Sequence, residues 1–167
     1  LPIIANGEKV KYVHSIKQPN DTTLWVSTVG EGIVKVIFDA STATPTVKSA
    51  SRTVIDNGRM ASNYFFTSYQ ENDSILWFGN RGCGAYRMNV ETGEMIPHRF
   101  DSIVSSQTAN DIFAIYKNAK GYWLGTSSGL LHLEQDDSLY TKADLFLNNT
   151  VHGLSLIHIS EPTRPLY

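Results

Sequence analysis

One short unit recurs three times in this chain, and that recurrence limits the fold more than any other feature. The copies run from Leu24 to Val36, from Leu76 to Met88 and from Tyr122 to Leu133. Each holds a Trp strand, a tight turn rich in Gly or Ser, and a return strand. Trp25, Trp77 and Trp123 are spaced 52 and 46 residues apart. A period in this range, with one aromatic signature per unit, marks a repeat architecture whose units cannot bury their faces alone. The apolar runs are too short for helical periodicity and end at Gly, Asn or Ser, so they predict antiparallel strands.

The repeated positions have separate physical reasons. Leu24/Trp25/Val26, Leu76/Trp77/Phe78 and Tyr122/Trp123/Leu124 are apolar on both parities, whereas a strand with one wet face would alternate. These strands are expected to be covered on both sides, with each Trp packed between adjacent sheets. Ser27, Gly79 and Gly125 share the face of the preceding Trp and allow a neighbouring sheet to approach. Gly32, Gly84 and Gly129 fall where a hairpin needs a positive φ before its return strand.

With those residues in view, the copies resemble the two-component regulator propeller repeat. Its pattern runs Asn-x-Val-x-x-Ile-x-x-Asp-x-x-Gly-x-Leu-Trp-Ile-Gly-Thr, followed by a Gly-rich turn and an aromatic-containing strand. The resemblance covers about residues 10 to 153. Two departures predict weaker turns: Asn118 replaces the usual Asp, and Glu71-Asn72-Asp73-Ser74 lacks the turn glycine. The resemblance implies an all-β chain, a β-propeller fragment of about three four-stranded antiparallel blades plus the opening of a fourth. It also implies a periplasmic, ligand-sensing part of a hybrid histidine kinase receptor, without a cofactor and not itself an enzyme. The expected ligand is a small carbohydrate. The expected partners are the remaining blades and downstream domains of a membrane-spanning, homodimeric parent.

Three units fit residues 10–56, 63–103 and 110–145, with residues 1–9 as the end of a preceding blade and a fourth unit opening before 153. Because a propeller closes with about four to eight blades, the 167 residues are expected to be a piece of a longer protein. First strands are expected at Val10 to Ile16, Tyr64 to Tyr69 and Ile112 to Tyr116, with a turn at Pro19-Asn20-Asp21. Counting from Asn149, a fourth Trp is due near position 162, where Pro162 stands. Residues 154–167 fit no repeat position and are read as a non-native tail.

The net charge of −2 and the lack of any basic run longer than two residues argue against nucleic-acid binding. Cys83 is the single cysteine, so it allows no internal disulfide and reads as a small core residue. No nucleophilic triad, zinc spacing or phosphate loop is spelled out. His14, His98 and His132 lack ligand-spaced partners and read as surface residues. Arg59, Asn63, Arg81 and Arg99 are the candidate ligand contacts, as loop groups able to meet sugar hydroxyls or a carboxylate. Two other readings stand beside the sensor. A sialidase-like propeller enzyme would carry Ser-x-Asp boxes, which Lys17 to Trp25 and Tyr116 to Trp123 lack. A WD-type interaction scaffold would carry Gly-His and Trp-Asp dipeptides, which are absent.

Overall fold

The computed structural model describes residues 2–41, 44–55, 63–100, 107–136 and 139–145. It opens with a hairpin, β1 (Ile4–Ala5) and β2 (Glu8–Lys9). Three four-stranded sheets follow. The first contains β3 (Val13–Asn20), β4 (Thr23–Thr28), β5 (Ile33–Asp39) and β6 (Thr46–Thr53). The second contains β7 (Phe65–Gln70), β8 (Ile75–Asn80), β9 (Ala85–Asn89) and β10 (Met95–His98). A one-turn 3-10 helix, Gln107–Asn110, leads to the third, with β11 (Ile112–Asn118), β12 (Gly121–Thr126), β13 (Gly129–Asp136) and β14 (Leu139–Leu145). Within each sheet the strands pair antiparallel in chain order. The sheets approach one another along their first strands, β3 to β7 and β7 to β11. This is the wedge geometry of propeller blades.

Burial follows the apolar pattern. The six residues of β8 are all buried, because Leu76 and Phe78 face the first sheet while Ile75, Trp77 and Gly79 face the third. By contrast, most of β6, the outer strand of the first sheet, is exposed. Trp25, Ile33, Phe65, Phe78, Tyr86 and Met88 form the core between the first two sheets. Trp77, Ala85, Ile112, Tyr122, Leu131 and Leu133 are among those between the second and third. The Trp face of each sheet thus meets the sheet that follows. Trp123 is the exception to the expected wedging. It is half-buried, and no further sheet lies on its face among the described residues.

Two glycines show why the spacing is tight. At Gly79 a Cβ would stand 2.7 Å from the Ile112 carbonyl oxygen of the next sheet and 2.5 Å from Thr67 Cγ2. Gly84 has φ of 83°, and a Cβ there would lie 2.1 Å from the His98 carbonyl oxygen. Neither position has room for a side chain.

Several details differ from expectation. The first strand begins at Val13 rather than Val10, because Val10 bonds to the N-terminal hairpin and Tyr12 breaks the extended backbone. The Val10 N–H donates to the Ile3 carbonyl (2.9 Å), and Tyr12 is bent out of extended geometry at φ of 50°. The same strand runs through Pro19 to Asn20, so the turn is confined to Asp21 and Thr22. Asn6-Gly7 makes the hairpin turn between β1 and β2, with φ of 51° and 84°. The turns predicted to be weak are well bonded. Asn20, Asn72 and Asn118 each accept, through Oδ1, the backbone N–H two residues on (3.1, 2.9 and 2.8 Å). Asn serves this turn as well as Asp because both carry the required acceptor oxygen. The opening of a fourth unit after Leu145 and the tail at 154–167 lie outside the described residues.

Candidate ligand-binding face

At one end of the sheets, the turn from second to third strand and the crossover to the next sheet come together. An asparagine at the end of each crossover holds this end in place. The Asn63 carbonyl accepts the N–H groups of Gly30 (3.0 Å) and Gly32 (3.1 Å). Its side chain accepts from Ile55 N–H (2.7 Å) and donates to the Ile55 carbonyl (3.3 Å). Asn110 repeats the arrangement one sheet later. Its carbonyl accepts from Gly84 N–H (2.9 Å), and its Oδ1 accepts from Phe100 N–H (2.8 Å). Asn63 is therefore tied into the scaffold through both ends of its amide, and Asn110, not singled out from the sequence as a clamp, is its repeat equivalent. The shared signal was visible: each stands two residues before the first strand of its repeat.

The other sequence candidates divide as follows. Arg81 lies in the turn after β8 with its side chain exposed, and its N–H donates to the Tyr64 carbonyl (3.0 Å). Arg99 starts the next crossover, half-buried, and donates through one guanidinium nitrogen to the Gly82 carbonyl (3.3 Å). The structure thus brings Arg81 and Arg99 to one turn on this face. Arg59 lies outside the described residues. Around them are Asp111, which accepts the Ser127 hydroxyl (2.9 Å), and the Thr108 and Ser128 hydroxyls, which bond to each other. On the first sheet, Glu31 is held by Arg52 (3.5 Å) and by the Lys11 N–H (3.0 Å).

The glycines and tryptophans of the repeat signature serve the scaffold rather than this face. Opposite each Trp, on the return strand, stands a basic residue: Lys35, Arg87 and His132. The Lys35 ammonium lies 5.2 Å from the Trp25 ring centroid, and the His132 ring stacks on Trp123 at 4.2 Å. His132 is accordingly buried, and His98 is half-buried with its ring 4.9 Å from that of Trp77. Both depart from the surface placement expected of them, because an imidazole can cover an indole face within the sheet. Burial, followed by the Arg87 charge, pushes the His98 imidazole below its ordinary pKa. Cys83 is buried, as expected of a small core residue. Among the described residues, no three His, Cys, Asp or Glu side chains come together as a metal site. No helix there is long and apolar enough to cross a membrane.

No family model matches the chain. Over 147 residues, 84% of its length, it is 29% identical to Histidine kinase P4 of Formosa agariphila. The chain spans about a tenth of that curated relative, the matched share being 10%. A crystal structure of the extracellular domain of a hybrid two-component system from B. thetaiotaomicron matches 81% of the chain with a TM-score of 0.53. There the identity is 21%, and 17% of that domain is covered. The chain is similar in sequence to a histidine kinase and in fold to the extracellular domain of a hybrid two-component system. The structural likeness establishes the propeller-type architecture, and the sequence likeness links that architecture to a histidine kinase.

Proposed function

We propose that this chain is part of the ligand-sensing propeller of a two-component receptor, positioned on the periplasmic side of the membrane and not itself an enzyme. The observation that carries the reading is that two likenesses each cover about four-fifths of the chain, one in sequence to a histidine kinase and one in fold to a hybrid-receptor ectodomain. In this reading the ligand is a small carbohydrate, and the turn-and-crossover face carrying Arg81 and Arg99 receives it. The remaining blades, the downstream domains and a second copy of the receptor are the partners.

The packing suits such a role. A ligand shifts a receptor only to the extent that it binds one arrangement better than another. Close-packed cores and the part-buried ion pair between Glu71 of the second sheet and Lys117 of the third (2.7 Å) couple neighbouring sheets. A contact at the rim can therefore alter how the coupled sheets dock on their neighbour. Calorimetric titration of the intact ectodomain against a glycan panel tests the reading, with saturable heat and no turnover as the expected result. Turnover of any glycan by the ectodomain would favour the hydrolase instead.

A further inference from the structure

We propose that the axial rim of the turn-and-crossover face is the carbohydrate site, with the Phe66 and Phe113 rings as its stacking platform and Arg81 selecting a sugar acid. This deepens the proposed function and rests on it. The starting point is a defect in register that occurs three times. Each first strand carries a β-bulge, between Val13 and Ser15, between Phe65 and Thr67, and between Ile112 and Ala114. The residues inserted are His14, Phe66 and Phe113. A bulge breaks the alternation of faces and re-aims a side chain, and bulges favour the rims of sites for that reason. Here the three re-aimed rings meet one another. His14 lies 5.4 Å from Phe66 with planes at 72°, and Phe66 lies 5.1 Å from Phe113 at 39°.

The row occupies the first strands, along which the sheets converge, so it faces the propeller axis. It also sits at the turn-and-crossover end. Two residues before each bulge, the carbonyls of Tyr12, Tyr64 and Asp111 accept the N–H groups of Val29 (3.0 Å), Arg81 (3.0 Å) and Ser127 (3.3 Å). These bonds bring Arg81 to the start of the Phe66 strand and Ser127 to the start of the Phe113 strand.

Core packing does not account for the row. The inter-sheet cores are sealed, whereas His14 is exposed and Phe66 and Phe113 are half-buried. Beside them Tyr12 is 71% exposed and held at φ of 50°, a left-handed conformation that is unfavourable for a bulky residue. Flat apolar surfaces rimmed by a few fixed polar groups fit a sugar ring, which offers C–H bonds on its face and hydroxyls at its edge. Ser127 and Asp111 supply such polar groups. Charge narrows the class further. Glu8 and Glu31 share Arg52, and Asp111, a carboxylate, accepts a hydrogen bond from Ser127. Arg81 is exposed and enters no ion pair among the described residues, with Arg99 at the same turn. A carboxylate on the sugar would meet the Arg81 side chain with a two-pronged guanidinium contact.

The test uses the intact ectodomain of the receptor that carries this chain, titrated with a uronic-acid disaccharide and its neutral counterpart. The acidic sugar should bind at least about tenfold tighter, a difference that Arg81→Ala should remove. Phe66→Leu and Phe113→Leu keep an apolar side chain but lose the flat face, and each should weaken both sugars by about tenfold in protein that remains folded by circular dichroism. Arg81→Ala, at an exposed side chain, remains informative if a leucine variant fails to fold. Equal binding of the two sugars by the unaltered ectodomain would overturn the assignment, as would leucine variants that bind as the parent does. Binding of glycans that ignores all three substitutions removes this site alone. An unaltered ectodomain that binds no glycan removes the carbohydrate-sensor reading with it.

Discussion

The two junctions between sheets share a plan and differ at one carboxylate. At both, a Trp from the second strand packs against the next sheet, and an asparagine clamps the crossover. Between the first and second sheets, the Trp25 indole N–H is buried with no hydrogen-bond partner among the described residues. Between the second and third, the Trp77 indole N–H donates to Glu71 (2.7 Å). The other oxygen of Glu71 binds Lys117 of the third sheet (2.7 Å), and Arg87 stands 3.9 Å away. Lys117 also lies 4.8 Å from the centre of the Tyr122 ring. Among the described residues, the first junction is therefore held by apolar contact at its Trp, and the second by the same contact plus a charged staple across the sheets. A repeat fold can vary the coupling between neighbouring units in this way while leaving the units alike.

The largest expected effect tests what the junctions share. Trp25→Ala and Trp77→Ala should each destabilise the chain by about 3–5 kcal/mol in urea unfolding, since both empty a buried ring site. Trp77→Ala should be the worse of the pair, because it also strips a donor from Glu71. Equal losses would show that the Trp77–Glu71 hydrogen bond adds nothing at the second junction.

Next comes the staple itself. Glu71→Ala should cost about 2 kcal/mol, the range for hydrogen bonds to a charged group reduced for partial solvent access. Amide exchange should then quicken in β11 and β12 while β4 and β5 are unaffected. A smaller effect separates the two indoles. Trp→Phe removes the same volume at either site, but only Trp77→Phe breaks a hydrogen bond. It should exceed Trp25→Phe by about 1 kcal/mol.

The smallest effect is a dependence on pH. Burial pushes the Glu71 carboxyl up, but hydrogen bonds from Lys117, Tyr122 and Trp77 outweigh it and hold the pKa below the ordinary 4.5. A carboxyl depressed in the folded state adds stability above its unfolded pKa and loses it as pH falls through the folded value. The stability gap between the parent chain and Glu71→Gln should be flat near neutrality and shrink below about pH 4.5. A gap that instead grows in acid would mean that the carboxyl is favoured in its neutral form.

How much of this could be read from the sequence depends on the range of the interaction. The period of the Trp residues, the both-parity apolar strands and the turn glycines were legible. Each is a local requirement: a strand covered on two faces must be apolar on both, and a left-handed turn position excludes most side chains. Gly32, Gly84 and Gly129 do have positive φ, at 81°, 83° and 126°. Candidate ligand contacts were less legible. Asn63 and Arg81 both read as polar loop residues. Only the fold shows that Asn63 bonds to a backbone eight residues away while Arg81 is exposed.

What the tertiary structure alone decided lies between sheets or across their faces. Glu71 reads as a turn residue until Lys117, 46 positions later, is brought within 2.7 Å by blade packing. His132 reads as a surface imidazole until register sets it against Trp123. The bulges at His14, Phe66 and Phe113 leave no local mark, because an inserted residue looks like any other in an apolar strand. Their alignment into one row depends on how three sheets converge. The sequence by itself determined which strands form and where they turn, through short-range sterics and the demand for burial. The partners of the charged and aromatic side chains were set by packing, because contact between distant residues depends on the stacking of whole sheets.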